Sequence, residues 1–108
     1  MRLHIYSVIL ELVRDLVPLL RKIERRDPDL ARQFRRALTS VPLNTAEGAY
    51  SRGKNKPARY QTALASAREV LACLEVAVAL GYLPEVDEQL SDRFGHVIAT
   101  LTKLVGDR

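Results

Sequence analysis

The side chains of this sequence with chemical potential are two histidines, one cysteine, two carboxylates set among apolar neighbours, and a set of clustered arginines and lysines. His4 and His96 stand far apart and lack ligand spacing, and the Glu-x-x-His pairs that build a di-iron site inside a bundle do not occur. A lone thiol makes neither an intramolecular disulfide nor a cysteine-based zinc site. Cys73 lies in the run Val70-Leu71-Ala72-Cys73-Leu74, where it reads as a small hydrophobe. There is no glycine-rich phosphate loop, nucleophile elbow or HExxH pattern. Glu47 and Glu75 each interrupt an apolar stretch. If buried, each needs a cationic partner, for which Arg35, Arg36 and Arg68 are candidates. A structural ion pair is therefore the expected role, since no constellation for acid–base catalysis accompanies either carboxylate. The expectation is a chain with no catalytic residue, no metal site, no cofactor and no enzymatic activity.

The basic residues are the signal of weight. Arg21, Lys22, Arg25, Arg26, Arg32, Arg35 and Arg36 cluster in one region, diluted by Glu24, Asp27 and Asp29. Arg52, Lys54, Lys56 and Arg59 form a second cluster, with no acidic residue between positions 49 and 66. Residues 1–59 carry 13 Lys/Arg against 6 Asp/Glu, whereas residues 60–108 carry 4 against 7. The asymmetry favours an anionic partner for the first half and suits head-to-tail contact between copies. Arg52, Lys54, Lys56 and Arg59, with Arg25 and Arg26, are the expected nucleic-acid contacts, binding phosphate with steep salt dependence and little sequence preference.

The elements that hold these residues follow from apolar periodicity. Ile5, Ile9, Leu12, Val13, Leu16, Leu19, Leu20 and Ile23 give one face of a first helix over residues 3–24, kinked at Pro18. Asp27-Pro28 is a cap followed by a first-turn proline. It opens a second helix that is kinked, not ended, at Pro42 and continues to Tyr50. Residues 51–57 form the clearest loop. A third helix spans residues 57–80 and stops at Gly81, and a fourth runs from Pro84 to about Val105. No strand pattern competes, and 108 residues suit one domain with one core. The expected fold class is all-α: one antiparallel up-down four-helix bundle over residues 1–108, with the two basic clusters at opposite ends. The early apolar stretch is too charged for a signal segment and too short to cross a bilayer, so a cytoplasmic protein with no membrane partner is expected.

Two helices carry more apolar surface than a bundle core consumes. Ala58, Ala65, Ala72 and Ala79 form a second stripe on the third helix, and Leu3, Leu10 and Val17 lie off the main stripe of the first. Between Glu69 and Leu83 the only charge is Glu75. Leaving this surface open would create a patch larger than monomers tolerate, so these residues are the expected interface of a homo-oligomer.

The stretch Leu30-Ala31-Arg32-Gln33-Phe34-Arg35-Arg36-Ala37-Leu38-Thr39-Ser40-Val41-Pro42-Leu43-Asn44-Thr45-Ala46-Glu47-Gly48 resembles the signature of the four helix bundle protein family encoded in intervening sequences of bacterial large-subunit ribosomal RNA genes. The family pattern is close to Q-L-R-R-A-x-x-S-I-P-x-N-I-A-E-G. Gln33, Arg35, Arg36, Ala37, Ser40, Pro42, Asn44, Ala46, Glu47 and Gly48 match it, and Phe34, Val41 and Thr45 depart mildly. Leu80-Gly81-Tyr82-Leu83 matches the family's helix 3–4 junction, while Ile5-Tyr6 stands where members commonly carry Val-Trp. The resemblance implies a homopentameric barrel, no catalysis and an RNA-directed role. A related branch, the accessory variability determinant of diversity-generating retroelements, implies nucleic acid and a reverse transcriptase as partners. A protein-interaction scaffold is the alternative reading. Within the signature, Arg35, Arg36, Pro42, Asn44, Glu47 and Gly48 are expected to be architectural, with Gly48 allowing close helix approach and Glu47 paired with an arginine.

Overall fold

In the computed structural model, which describes residues 4–106, four helices run α1 His4–Arg26, α2 Pro28–Tyr50, α3 Asn55–Ala79 and α4 Glu88–Val105. No strand occurs among the described residues. Each helix packs on the next in sequence, and a slighter contact between α1 and α4 closes the bundle. The principal extents are 43 × 25 × 25 Å.

α1 buries Ile5, Ile9, Leu12, Leu16, Leu20 and Ile23, one stripe at spacings of three and four. It runs unbroken through Pro18, and α2 through Pro42. Pro18 cannot donate to the Arg14 carbonyl four residues earlier, but both residues are exposed, so water can satisfy that carbonyl. α2 and α3 share the most extensive seam, built from small residues on both sides: Ala31, Ala37 and Gly48 against Ala63, Ala67 and Ala77, with Phe34 and Tyr60 filling the space between. α4 is the most lightly held and buries only Phe94, Val97 and Leu101.

The α1–α2 turn is a single residue. The Asp27 backbone N–H donates to the Ile23 carbonyl at 2.7 Å, and its carboxylate Oδ1 accepts from the Leu30 N–H at 3.0 Å, capping α2. At the same end, α3 finishes in a Schellman motif. Tyr82 N–H donates to the Ala77 carbonyl at 2.8 Å and Gly81 N–H to the Val78 carbonyl at 3.0 Å, with Gly81 at φ +81°. That turn aims Tyr82 back at the first one: its hydroxyl donates to Asp27 Oδ2 at 3.1 Å, and the Arg26 guanidinium sits 5.3 Å from its ring centroid. One carboxylate thus caps a helix with one oxygen and ties two turns together with the other. Donating to a carboxylate raises the Tyr82 phenol pKa, as does its partial burial.

The boundaries differ from expectation at three places: α1 runs on to Arg26, two residues beyond its expected end. α3 begins at Asn55, two residues early. α4 begins at Glu88 and not at Pro84. Its cap is Asp87, whose carboxylate accepts from the Gln89 N–H at 2.7 Å, so residues 84–87 form a connection that buries Leu83 and half-buries Val86. The carboxylate cap outweighs a proline that is compatible with a helix start but equally with a loop.

Of the glycines, Gly48 alone is closely approached by another side chain. A Cβ built there would lie 2.6 Å from Tyr60 Cε1 and 2.7 Å from Cδ1. The Tyr60 ring is fully buried and cannot swing into solvent. Gly48→Ala should therefore lower stability by about 1–3 kcal/mol of overpacking, against roughly 1 kcal/mol gained in helix propensity. The measurement is the thermal midpoint followed by circular dichroism. A drop of several degrees is expected, and an unchanged or higher midpoint would show that the ring yields.

Candidate functional site

The α2–α3 turn places the second basic cluster. α2 ends at Tyr50; Ser51 N–H donates to the Gly48 carbonyl at 3.3 Å and Ser51 Oγ to the Glu47 carbonyl at 2.7 Å, closing off the helix C-terminus. Gly53 takes φ +60°, a left-handed conformation that glycine adopts without strain, and the chain reverses into α3. Arg52, Lys54 and Lys56 are all exposed here, and none has an ion-pair partner among the described residues. They surround the N-terminus of a 25-residue helix with no acidic residue in its first turn and no side-chain cap. Asn55 and Lys56 N–H groups turn back to the Arg52 and Gly53 carbonyls, both at 3.3 Å, and Pro57 has none. The helix therefore adds the positive end of its dipole but few free donors, leaving direct contact with an anion to the side chains.

Arg59, the fourth member of this cluster, is not free. Its Nη1 lies 3.2 Å from Glu47 Oε2, linking α3 to α2 across the surface with both side chains about half exposed. Glu47 thus has an arginine partner, but not one of the three expected from its sequence neighbourhood. One turn-length of packing at Gly48–Tyr60 brings Arg59 alongside instead. Glu75 is exposed and makes no ion pair among the described residues. Both carboxylates face solvent, so burial does not demand a partner for either, and the structural ion pair expected of them forms at Glu47 but not at Glu75.

The first cluster is held differently, toward the opposite end of a 23-residue α2, a helix about 35 Å long at 1.5 Å per residue. Arg35 pairs with Glu24 and Arg32 with Asp29, each at 2.9 Å, and Arg26 lies over the Tyr82 ring. Arg25 is exposed without an ion pair among the described residues, and the acidic Glu85, Asp87 and Glu88 share this end. Arg21, Lys22 and Arg36 are likewise exposed without an ion pair among the described residues, so this cluster mixes paired and unpaired cations with acids, whereas the α2–α3 turn has no acidic residue between positions 49 and 66.

Most of the remaining signature lines the α2–α3 seam. Gln33, Arg36, Ala37 and Ser40 border a groove completed by Ser66 and Glu69 of α3. Ser66 Oγ donates to Ser40 Oγ at 2.7 Å, and Asn44 Nδ2 donates to the Ser40 carbonyl and hydroxyl, both at 3.0 Å. Sequence reading missed this hydroxyl–amide chain, although Ser40, Asn44 and Glu47 recur at helical spacing. Thr45, fully buried, donates to the Val41 carbonyl at 2.7 Å. Cys73 is buried, and burial with the nearby Glu69 charge raises its thiol pKa, which suppresses the reactive thiolate.

Of the surplus apolar positions, Ala58, Ala65, Ala72 and Ala79 are all exposed on α3, as are Val76 at 45% and Leu80 at 53%. Leu10 and Val17 are half-buried, and Leu3 lies outside the described residues. On α2, Leu43 is 63% and Tyr50 73% exposed. Sequence reading did not single out those last two, although their spacing of seven places them on one helix face. Among the described residues no group of His, Cys, Asp or Glu could hold a metal ion, and no helix is long and apolar enough to cross a membrane.

Comparison with known proteins agrees with this architecture. A family model described as 23S rRNA-intervening sequence protein matches residues 1–103. A solved structure from Bacteroides thetaiotaomicron, described as a protein of unknown function from the S23 ribosomal protein family, superposes with a TM-score of 0.80 at 18% identity. The match covers 95% of this chain and 99% of that one; at such low identity it speaks to the fold alone. No curated protein matches.

The Glu47–Arg59 pair yields a stability expectation. Both side chains are about half exposed, and pairs of that kind contribute roughly 0–1 kcal/mol. Glu47→Ala should shift the urea midpoint by less than about 1 kcal/mol. A loss near the roughly 3 kcal/mol of a broken buried pair would mean that an assembly covers this surface.

Proposed function

Since the chain belongs to the 23S rRNA-intervening sequence protein family, we propose that it acts in the cytoplasm as a non-enzymatic homo-oligomeric helical bundle that binds RNA through the α2–α3 turn. The observation that carries the binding reading is the group Arg52, Lys54 and Lys56, exposed, without ion pairs among the described residues, and set at the positive end of α3. Three mobile cations in a helix-dipole field favour a polyanion whose phosphates are spaced along a chain. Arg59 joins them when it exchanges Glu47 for a phosphate, and Arg25 offers a weaker contact at the far end. The family's name ties it to an intervening sequence of 23S rRNA, which puts RNA first among polyanions.

Self-association supports this reading by repeating the turn. The exposed alanine stripe of α3 permits close approach of another helix, and Val76 and Leu80 supply apolar area at its C-terminal end. A basic first half and an acidic second half favour heterologous contacts that close into a ring, and the family resemblance points to five copies. Leu43 and Tyr50 favour a second reading, in which an assembled scaffold takes a protein partner such as a reverse transcriptase.

Titration of structured RNA against the protein at increasing salt tests the binding reading. With three or four phosphates contacted per protomer, log K should fall against log salt with a slope of about −2 to −3 on single strands. Joint replacement of Arg52, Lys54, Lys56 and Arg59 by Glu should abolish binding while leaving the helical circular dichroism intact. Retained affinity would move the site to the Arg21–Arg36 region or remove RNA from the account.

Sedimentation tests the assembly. The unmodified chain should sediment well above the 12.2 kDa of a single copy, and Ala65→Glu with Ala72→Glu should return it to monomers. A single-copy species at micromolar concentration would overturn the oligomer.

A further inference from the structure

The turn that carries the cations also presents an aromatic face. The four tyrosines have different fates: Tyr60 is buried, Tyr82 is tied to Asp27, Tyr6 is half-buried, and Tyr50 is 73% exposed. Among the described residues Tyr50 makes no hydrogen bond or ring contact. It stands at the last position of α2, two residues before Arg52, and lines a shallow depression with Ala46, Glu47, Ser51 and Arg59. The same depression therefore holds an open phenol ring and an ion pair with oxygens that accept and guanidinium N–H groups that donate, both half exposed.

A single exposed tyrosine is ordinary. This one is set apart by its company: an acid-free run of cations on one side and paired donor and acceptor groups on the other. That combination matches the parts of a nucleotide. A ring face stacks on a base, a carboxylate and a guanidinium reach its hydrogen-bonding edge, and Arg52, Lys54 and Lys56 take the flanking phosphates. A base inside a duplex has both faces covered and its pairing edge occupied, so only the phosphate part of the surface is open to it.

We infer that the α2–α3 turn selects unpaired nucleotides of RNA, in a loop, bulge or strand end, by stacking a base on Tyr50 with its edge at Glu47 and Arg59. The inference rests on the RNA-binding reading above and adds a preference between RNA forms that charge alone does not supply.

The test compares the full chain with Tyr50→Ala and Tyr50→Phe, each titrated with a short single-stranded RNA and with a blunt RNA duplex at the same salt. Tyr50→Ala should weaken single-strand binding by about 5- to 100-fold, the range of one lost base–aromatic stack, and leave duplex binding unchanged. Tyr50→Phe keeps the ring and should bind as the parent does. Equal affinity of parent and Tyr50→Ala for the single strand, while charge reversal of the turn still abolishes binding, would overturn the stacking and leave the phosphate reading standing. A parent chain that binds neither RNA at low salt would overturn both. Altered sedimentation of Tyr50→Ala would assign the ring to a contact between copies and also overturn the inference.

Discussion

The contact on which the rest of the molecule depends is a tyrosine ring laid against a helix with no side chain at that point. Gly48 and Tyr60 sit near the ends of α2 and α3 that meet at the turn, and their approach is too close for even a methyl group between them. The axes of the two helices are therefore drawn together just below the turn. The small residues along the seam continue that closeness, so the backbone reverses within a few residues. The Glu47–Arg59 pair, the orientation of Tyr50 and the outward display of Arg52, Lys54 and Lys56 all follow from this one packing decision. Interior packing and surface chemistry are not separate here: a core glycine sets the spacing of surface charges.

The opposite end is organised by hydrogen bonding in place of packing. Asp27 is the sole residue between α1 and α2, and its two carboxylate oxygens serve two elements. Tyr82 reaches it only because Gly81 allows the left-handed residue of the α3 terminus. At this end Arg26, Arg32 and Arg35 are engaged by the Tyr82 ring or by acids, while Arg21, Lys22, Arg25 and Arg36 make no ion pair among the described residues. The two clusters thus differ in company: acids stand among the first, and the second has none between positions 49 and 66.

Much of this was legible in the residues themselves. Apolar spacing marked all four helices, Asp27-Pro28 marked the start of α2, and Gly81 marked the end of α3. The small size of Gly48 in a run of larger residues marked a close approach. What escaped reading was whatever depends on which residues from different helices meet. Arg59 is 12 positions from Glu47 and became its partner through packing across the seam. The Asp27–Tyr82 bond spans 55 positions. The Ser40–Asn44–Ser66 chain likewise needs α3 in place before it exists. Glu47 and Glu75 have apolar neighbours in sequence, yet a helix turns 100° per residue and both fall on the outer face. The start of α4 was missed because proline permits a helix start without requiring one, and a carboxylate cap lay three residues further on.

The light anchoring of α4 gives the bundle an uneven stability. Three residues of this helix are buried, against nine in α3 and eight in α2; Leu90, Ile98, Leu104 and Val105 pack on the core only in part, and its slight meeting with α1 includes the Arg93–Asp15 ion pair at 2.8 Å. The eight-residue connection 80–87 ahead of it is long enough to act as a hinge. Opening of α4 alone is therefore expected to cost less than unfolding the whole bundle, with the α2–α3 seam the last part to open.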